Sequence, residues 1–276
     1  MNRTSKPWHN SQRKLRAGAV MLAAMLLLAV AAPLLTPYSP DHQDTPALTR
    51  HLPPSWQHPF GTDQFGRDVF TRVLFGGRIS LAIGLAVVVL SITLGALYGA
   101  VSGYLGGVWD ALLMRLVDLL LAFPLIFLTV TSIALFGSGL LALILILALS
   151  GWMDVARLVR AEVLSLKERA FILKAHAAGL RKSRVLVRHL IPNTFALVAA
   201  ASALRVADVI LLESTLSFLG VGVQPPTASW GAILNDGRPV LATAWWLTLF
   251  PGLAIALTTV SLHLIGEALP TPGKNS

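Results

Sequence analysis

Six long apolar runs constrain this chain more than any other feature of its sequence. A helix needs about 20 residues to cross the hydrocarbon core of a bilayer, and each run is at least that long. Only 13% of the residues are charged, whereas a soluble domain has about 25%. The runs predict an all-α, polytopic membrane protein with six transmembrane helices, at residues 17–36, 79–102, 111–135, 139–158, 195–221 and 244–268.

The first run also fits a signal peptide, because it follows a basic start that includes Arg13, Lys14 and Arg16. A signal peptide has a shorter apolar run and a small-residue cleavage site. Here the run is long, and prolines such as Pro33 and Pro37 replace the small-residue site. We therefore predict an uncleaved first span.

The distribution of basic residues predicts the orientation. Between Arg157 and Arg188 there are nine lysines or arginines, whereas residues 222–243 contain one basic and one acidic residue. Cytoplasmic loops of membrane proteins carry an excess of Lys and Arg. The loop 159–194 and both termini are therefore predicted to be cytoplasmic, with 37–78 and 222–243 on the opposite side.

The domain organisation follows from this orientation. The net charge of +9 would also suit nucleic-acid binding, but basic residues next to apolar spans are explained by membrane topology. The predicted parts are a cytoplasmic basic N-terminus at 1–16, a first span with an extracytoplasmic segment at 17–78, a transmembrane domain at 79–268 that includes the loop 159–194, and a cytoplasmic tail at 269–276.

Several motifs of catalysis and cofactor binding are missing from the sequence. It has no cysteine, which excludes disulfides and thiolate metal sites. It has no H-E-x-x-H and no G-x-S-x-G. It also has no G-x-x-x-x-G-K-[ST] phosphate loop, so a transporter that used ATP would need a separate ATPase chain. His42, His51 and His58 suggest nickel, but their spacings fit no compact site. We predict no catalytic, cofactor-binding or metal-binding residues.

The basic stretch AFILKAHAAGLRKSRVLVRHLIPN, residues 170–193, differs from the apolar chain around it. A helix is predicted up to Ala178, with an apolar stripe at Val163, Leu166, Ala170 and Leu173. Gly179 is expected to end that helix in the left-handed conformation. A second short helix then follows, and the predicted structure is a helix–glycine–helix elbow.

The end of this elbow is predicted from a proline. The second run, 183–190, should stop at Pro192, because the residue before a proline is pushed out of helical geometry. Ile191 would then be a corner and Asn193 the cap of the next span. From physics alone, the elbow is equally suited to lie on anionic lipid or to dock a partner protein.

Three motifs resemble one family. The pattern Ala175-x-x-x-Gly179, followed by Arg188-His189-x-Ile191-Pro192-Asn193, resembles the cytoplasmic coupling loop of ABC-importer permeases. HPFGTDQFGRDVFTRVLFGGRISL at 58–81 and STLSFLGVGVQPPTASWGAIL at 214–234 resemble the second permease subunit of dipeptide, oligopeptide and nickel importers.

This resemblance implies a permease of an ATP-driven importer for a short peptide, nickel or a nickel chelate. The implied partners are a second permease subunit, two ATPase subunits and an extracytoplasmic solute-binding protein in a bacterial inner membrane. It also implies contact with the ATPase through the elbow, at Phe171, Leu173, Ala175, Gly179 and Pro192. Leu173 begins the triplet where the family has Glu-Ala-Ala, so this contact is expected to be apolar.

Ionisable residues within spans need an explanation, since each costs a few kcal/mol near the bilayer centre. Arg115 with Asp118, and Arg205 with Asp208, are three residues apart and are predicted to pair, with path lining as the alternative. Glu213 has no cation nearby in sequence and suits either role. Asp118, Asp208 and Glu213 are thus the possible path-lining residues.

Two other functional classes are alternatives to a permease. An intramembrane hydrolase would use Ser214 or Ser217 with His263, although no catalytic motif surrounds them. A proton-coupled secondary carrier would use the acidic residues of the spans as relays, but it has no evident use for a basic elbow. The glycines of the second span are predicted to serve close helix packing, at Gly84, Gly95, Gly99 and Gly103.

Overall fold

The structure, a computed structural model, describes residues 6–43, 49–137 and 139–269. Its regular elements in these residues are helices, and extended pairing is limited to an isolated bridge between Thr62 and Asp68. Helices satisfy their backbone hydrogen bonds internally, as apolar surroundings demand. The all-α prediction is confirmed.

The α-helices are numbered in chain order. They are α1 (Lys6–Val30), α2 (Ala32–Leu35), α3 (Val69–Leu105), α4 (Gly107–Leu121), α5 (Leu125–Phe136), α6 (Leu140–Lys167), α7 (Ala170–Ala177), α8 (Lys182–Val185), α9 (Ile191–Phe218), α10 (Trp230–Gly237) and α11 (Trp246–Ala268). A π-helix, Leu186–Leu190, leads into α9, and a 3-10 turn, Arg238–Val240, follows α10.

Three helices, α3, α6 and α11, are long and apolar enough to cross a membrane. Two further candidates are bent pairs: α4 with α5, bent by 81°, and Leu186–Phe195 with Leu197–Phe218, bent by 53°. The described residues therefore hold three to five candidate spans. The predicted span 17–36 is not among them, and a sixth span stays a prediction.

Prolines explain two departures from the predicted spans. Residues 17–36 divide between α1 and α2, with Pro33 in the first turn of α2, where its missing N–H costs nothing. The run 111–135 breaks just before Pro124, which lacks an N–H and disfavours helical geometry at Phe123. At both of these prolines, one long apolar run is divided into two helices.

The described residues form two compact units. Unit 1 comprises those up to Ala86 together with Ile133–Ile144 and Ala203–Leu269. Its core includes two buried tryptophans whose indole N–H groups find backbone acceptors. Trp230 donates to the carbonyl of Val73 at 2.9 Å, and Trp246 donates to the carbonyl of Thr62 at 3.1 Å.

Helix α1 packs along α11 within unit 1. Gly18 permits this approach, because a Cβ there would lie 2.6 Å from the carbonyl oxygen of Ser261. Near the helix ends, Lys14 Nζ lies 2.7 Å from Glu267 Oε2, and Ser11 donates to the carbonyl of Ala268 at 3.0 Å. Glu267, an acidic residue in the last turn of α11, therefore pairs with a lysine of α1.

Unit 2 comprises Val87–Ser132 and Leu145–Ser202. Here α3 and α6 pack backbone to backbone through glycines at four-residue spacing. A Cβ on Gly95 would lie 2.5 Å from the Trp152 carbonyl oxygen, and one on Gly99 would overlap the backbone of Ala156. In unit 1, a Cβ on Gly84 would lie 3.0 Å from Ile210. The prediction that these glycines serve helix packing is confirmed.

Candidate coupling surface and buried polar sites

The elbow consists of α7, α8 and the π-helix, all within unit 2. The predicted helix to Ala178 is interrupted: α6 ends at Lys167, and α7 starts at Ala170. The ammonium group of Lys167 donates to the carbonyls of Gly103 at 3.2 Å and Tyr104 at 2.9 Å, which fixes the end of α6. A positive charge at the C-terminus of α3 also suits the helix dipole.

Apolar side chains anchor the elbow in the core of unit 2. Ile172 in α7, Val185 at the end of α8 and Leu190 in the π-helix are each fully buried. They pack in one cluster with Val163 and Leu166 of α6. The predicted stripe therefore holds for Val163 and Leu166, whereas Ala170 is exposed and the side chain of Leu173 lies outside the described ones.

The residues predicted to contact an ATPase are placed as follows. Phe171 is 40% exposed and Pro192 is exposed. Gly179 has a φ of 73°, in the left-handed region, with no atom within 4 Å of the position of a Cβ. The side chains of Leu173 and Ala175 are outside the described part of the structure.

The predicted corner at Ile191 is wrong. Ile191 has helical angles, φ −55° and ψ −47°, and its N–H donates to the carbonyl of Leu186, five residues earlier. This π-type turn is wider than an α-turn, and it lets the chain pass into α9 although Pro192 has no N–H to offer. Asn193 is consequently no helix cap, and its amide donates within the helix to the carbonyl of His189 at 2.6 Å.

A partly buried ion pair that the sequence did not predict joins α4 to α6 in unit 2. Arg160 binds both carboxylate oxygens of Asp110 at 2.6 Å, and Ser102 donates to the same carboxylate at 2.5 Å. Bidentate arginine–carboxylate pairs are strong and fix the orientation of both partners. Acidic and basic residues flanking neighbouring apolar runs were the available signal, but sequence does not say which of them face each other.

Asp118 has a different partner from the predicted one. Arg157 of α6, rather than Arg115, binds Asp118 with 2.5 Å between Nη2 and Oδ1. Both side chains are about half exposed, so the pair is worth little in stability. Asp208, the second possible path-lining residue, is exposed in α9.

Glu213 lies at a buried polar centre in unit 1. Its side chain is fully buried and accepts hydrogen bonds from Ser80 at 3.2 Å, Ser214 at 3.4 Å and Ser217 at 2.7 Å. Ser217 in turn accepts from the N–H of Val223 at 2.9 Å. Glu213 therefore ties α9 to α3 and to the loop that follows α9.

A second polar centre in unit 1 consists of arginines and aspartates. Asp63 is fully buried and accepts from Arg67 Nε at 2.6 Å. Arg67 and Arg72 also approach Asp236 of α10, at 3.4 Å and 3.2 Å. Arg72 is buried, and its Nη1 has no hydrogen-bond partner among the described residues. Leaving such a donor unpaired costs about 1–3 kcal/mol or more.

Two of the three histidines in the segment before α3, His42 and His58, stack on the ring of Tyr38. His58 Nδ1 also lies 3.0 Å from Asp68 Oδ1. His51 has its pKa lowered, first by burial and then by the charge of Arg50. Among the described residues there is no group of three or more His, Cys, Asp or Glu placed to hold a metal ion.

The two serines that an intramembrane hydrolase would use are hydrogen-bonded to a carboxylate and not to a histidine. Ser214 and Ser217 donate to Glu213. His263 Nδ1 lies 2.9 Å from the carbonyl oxygen of Thr259, one turn earlier in α11. In the described part of the chain, no hydrogen bond joins either serine to His263.

Comparison with known proteins identifies the class. A profile described as "Binding-protein-dependent transport system inner membrane component" matches residues 91–270. A second, described as "N-terminal TM domain of oligopeptide transport permease C", matches residues 13–54. The first covers well over half of the chain. The chain belongs to the family of inner-membrane components of binding-protein-dependent transport systems, which are permeases and not an enzyme family.

Curated relatives match nearly the whole chain. It is 39% identical over 255 residues to the dipeptide transport system permease protein DppC of Bacillus subtilis, covering 92% of this chain and 79% of that one. The oligopeptide transport system permease protein OppC of Haemophilus influenzae is 36% identical, covering 95% and 86%. A putative peptide transport system permease protein of Brucella suis is 43% identical, covering 94% and 86%. This chain is a multi-pass inner-membrane permease subunit.

Proposed function

We propose that this chain is one of two different permease subunits of an ATP-driven peptide importer. The names of the relatives above favour peptides over nickel as the solute. In this proposal it works with a second permease, two ATPase subunits and an external solute-binding protein. The missing phosphate loop agrees with hydrolysis by a separate chain.

The observation that carries the proposal is the elbow. Its buried side chains bind it to the core of unit 2, while its opposite side is exposed. That exposed side combines Phe171 and Val187 with Arg181, Arg184 and Arg188. An apolar and basic surface on a firmly anchored element suits a partner protein that pushes on it. Lipid headgroups would bind the charges, but they would not require a fixed glycine turn.

In the proposed mechanism, ATP-driven closure of the ATPase pair displaces the elbow and, with it, α6. The Asp110–Arg160 ion pair and the contacts of Lys167 pass the motion to α3 and α4. The path between the two permeases then opens alternately to each side, through a bistable arrangement of helices. Purified complexes containing the ATPase, with uptake that requires ATP, are the direct test; uptake that survives loss of the ATPase would favour a proton-coupled carrier.

The proposed topology has six spans, the first at 17–36, with both termini and the loop 159–194 in the cytoplasm. The segment 17–78 would supply the first span and an extracytoplasmic part, and 79–268 the permease domain. The match of residues 13–54 to an N-terminal transmembrane domain supports the first span. The tail beyond Leu269 lies outside the described residues.

Single cysteines test this topology, since the chain has none of its own. Trp56→Cys and Ala178→Cys both fall at exposed positions. An impermeant thiol reagent should label the cysteine at 56 in intact cells and leave the one at 178 unlabelled until the membrane is permeabilised. Labelling of position 178 from outside would overturn the orientation.

Gly179 is predicted to be required for coupling. At φ 73° a Cβ costs about 1–2 kcal/mol, and a β-branched side chain more. Because no atom lies within 4 Å of that Cβ position, the effect comes from the backbone alone. Gly179→Val should lower uptake and substrate-stimulated ATP hydrolysis together, at normal membrane insertion.

Two further variants serve as matched controls for Gly179→Val. Gly179→Ala should be milder, and Gly179→Asn should be mildest, because asparagine adopts this conformation more readily than other side chains. The measurement is ATP hydrolysis and uptake by purified complexes in liposomes. Wild-type transport by Gly179→Val would show that the turn transmits no force.

A further inference from the structure

A polar pocket in unit 1 has no role in the function proposed so far. It has a volume of about 300 Å³ and lies between the first turn of α3, the loop after α9, and α10. Its polar lining includes Arg67, Arg72, Gln224, Asn235 and Asp236. This volume is at the lower end for small-molecule sites, which suits one end of a short peptide.

The two aspartates beside the pocket are held very differently. Asp63 is fully buried and accepts from the N–H groups of Phe65 at 2.8 Å and Arg67 at 3.0 Å, and from Arg67 Nε at 2.6 Å. Asp236 is 23% exposed, and one of its oxygens, Oδ2, accepts from both arginines at 3.4 Å and 3.2 Å. Asp63 is thus a fixed counterion, whereas Asp236 is loosely held and reachable from the pocket.

Arg72 has two nitrogens without a hydrogen-bond partner among the described residues. These are its buried Nε and Nη1; the side chain is 3% exposed, and Nε is 3.5 Å from Asp63 Oδ2. A guanidinium group presents parallel N–H donors that match a planar carboxylate. Two arginines and two aspartates make the cluster neutral, so a carboxylate that enters it adds one negative charge, whereas a phosphate would add about two. The singly charged anion is therefore the better fit.

We propose that this pocket binds the free C-terminal carboxylate of a short peptide, which takes the place of Asp236 on Arg72. The inference rests on the proposed peptide importer and adds the part of the substrate that the permease recognises. Phe65, Val223 and Pro225, which also line the pocket, supply apolar contact for the residue that carries the carboxylate. Release of Asp236 removes one contact between α10 and the first turn of α3, while Trp230 of α10 stays bound to the Val73 carbonyl. Loss of that contact links substrate entry to a change in the permease.

The test uses two N-acetylated probes, which carry no ammonium group and differ only at the C-terminal group. N-acetyl-dialanine has a free carboxylate, and N-acetyl-dialanine amide does not. Their binding to the permease complex in lipid nanodiscs is measured by saturation-transfer NMR, without the solute-binding protein. We expect the acid to bind at least tenfold more tightly than the amide, and Arg72→Gln to remove that difference.

Asp236→Asn provides the variant that misfolding cannot imitate. It removes the competing carboxylate, so it should tighten binding of the acid several-fold while leaving the amide unchanged. Equal binding of acid and amide to the wild type, or weaker binding of the acid to Asp236→Asn, would overturn the site. Failure of the wild type to take up any peptide while the acid still binds would instead overturn the proposed function.

Discussion

Gly99→Ala is expected to destabilise the folded permease strongly, by about 1–3 kcal/mol or more, as over-packing does in a tightly packed interior. The new methyl group would overlap the backbone of Ala156 on α6, and backbone, unlike a flexible side chain, cannot turn aside. The two helices would have to move apart. Their separation would also loosen the contacts at Gly95 and Gly103, which face α6 at the same spacing.

The matched control is Gly252→Ala in α11. Gly252 is also helical, but no atom lies within 4 Å of its Cβ position. Alanine is the better helix former, so this variant should fold as well as the wild type. Thermal unfolding of the detergent-purified complex, followed by the loss of monodisperse protein, should show a transition several degrees lower for Gly99→Ala alone. Equal transitions for the two variants would contradict the packing.

Glu213→Ala is expected to abolish transport while the protein still inserts into the membrane. The substitution leaves three buried serine hydroxyls, at positions 80, 214 and 217, without their acceptor. Each unsatisfied buried group costs about 1–3 kcal/mol. The loop after α9 would lose its attachment as well, because the Val223 N–H binds Ser217, and Ser217 is oriented by Glu213.

Glu213→Gln separates a structural role from a proton relay. Glutamine keeps the size of the side chain and one carboxamide oxygen that accepts hydrogen bonds. If Glu213 organises the loop, Glu213→Gln should retain a substantial part of the uptake rate that Glu213→Ala loses. If Glu213 carries protons, as in a secondary carrier, both variants should be equally inactive. Uptake by reconstituted complexes, normalised to folded protein, distinguishes the two outcomes.

The sequence alone was sufficient for the class of protein. Apolar runs of about 20 residues have few stable solutions other than membrane helices. The motifs around Gly179 and in the segments 58–81 and 214–234 indicated the family, because they are local patterns that do not depend on which helices are neighbours. The left-handed backbone of Gly179 was predicted for the same reason.

The helix interruptions were only partly predictable. Pro124 divides a run that hydrophobicity alone makes continuous, as the missing N–H of proline suggests it should. Pro192 has the same local chemistry, yet the chain stays helical there because a π-turn comes before it. A proline marks where the backbone hydrogen bonds of a helix are interrupted. The surrounding packing decides whether the helix ends, bends or widens there.

Pairing between distant residues was decided by tertiary structure. Sequence spacing put Asp118 next to Arg115, but helix packing gives it Arg157. The same packing joins Asp110 to Arg160, surrounds Glu213 with serines and brings Asp236 to Arg72. Helical periodicity determines which residues of one helix share a face, but it carries no information on which face of another helix lies opposite. The sequence by itself thus determined the class, a helical membrane permease, and predicted the coupling elbow. Only the packing of its helices determined where its buried charges meet.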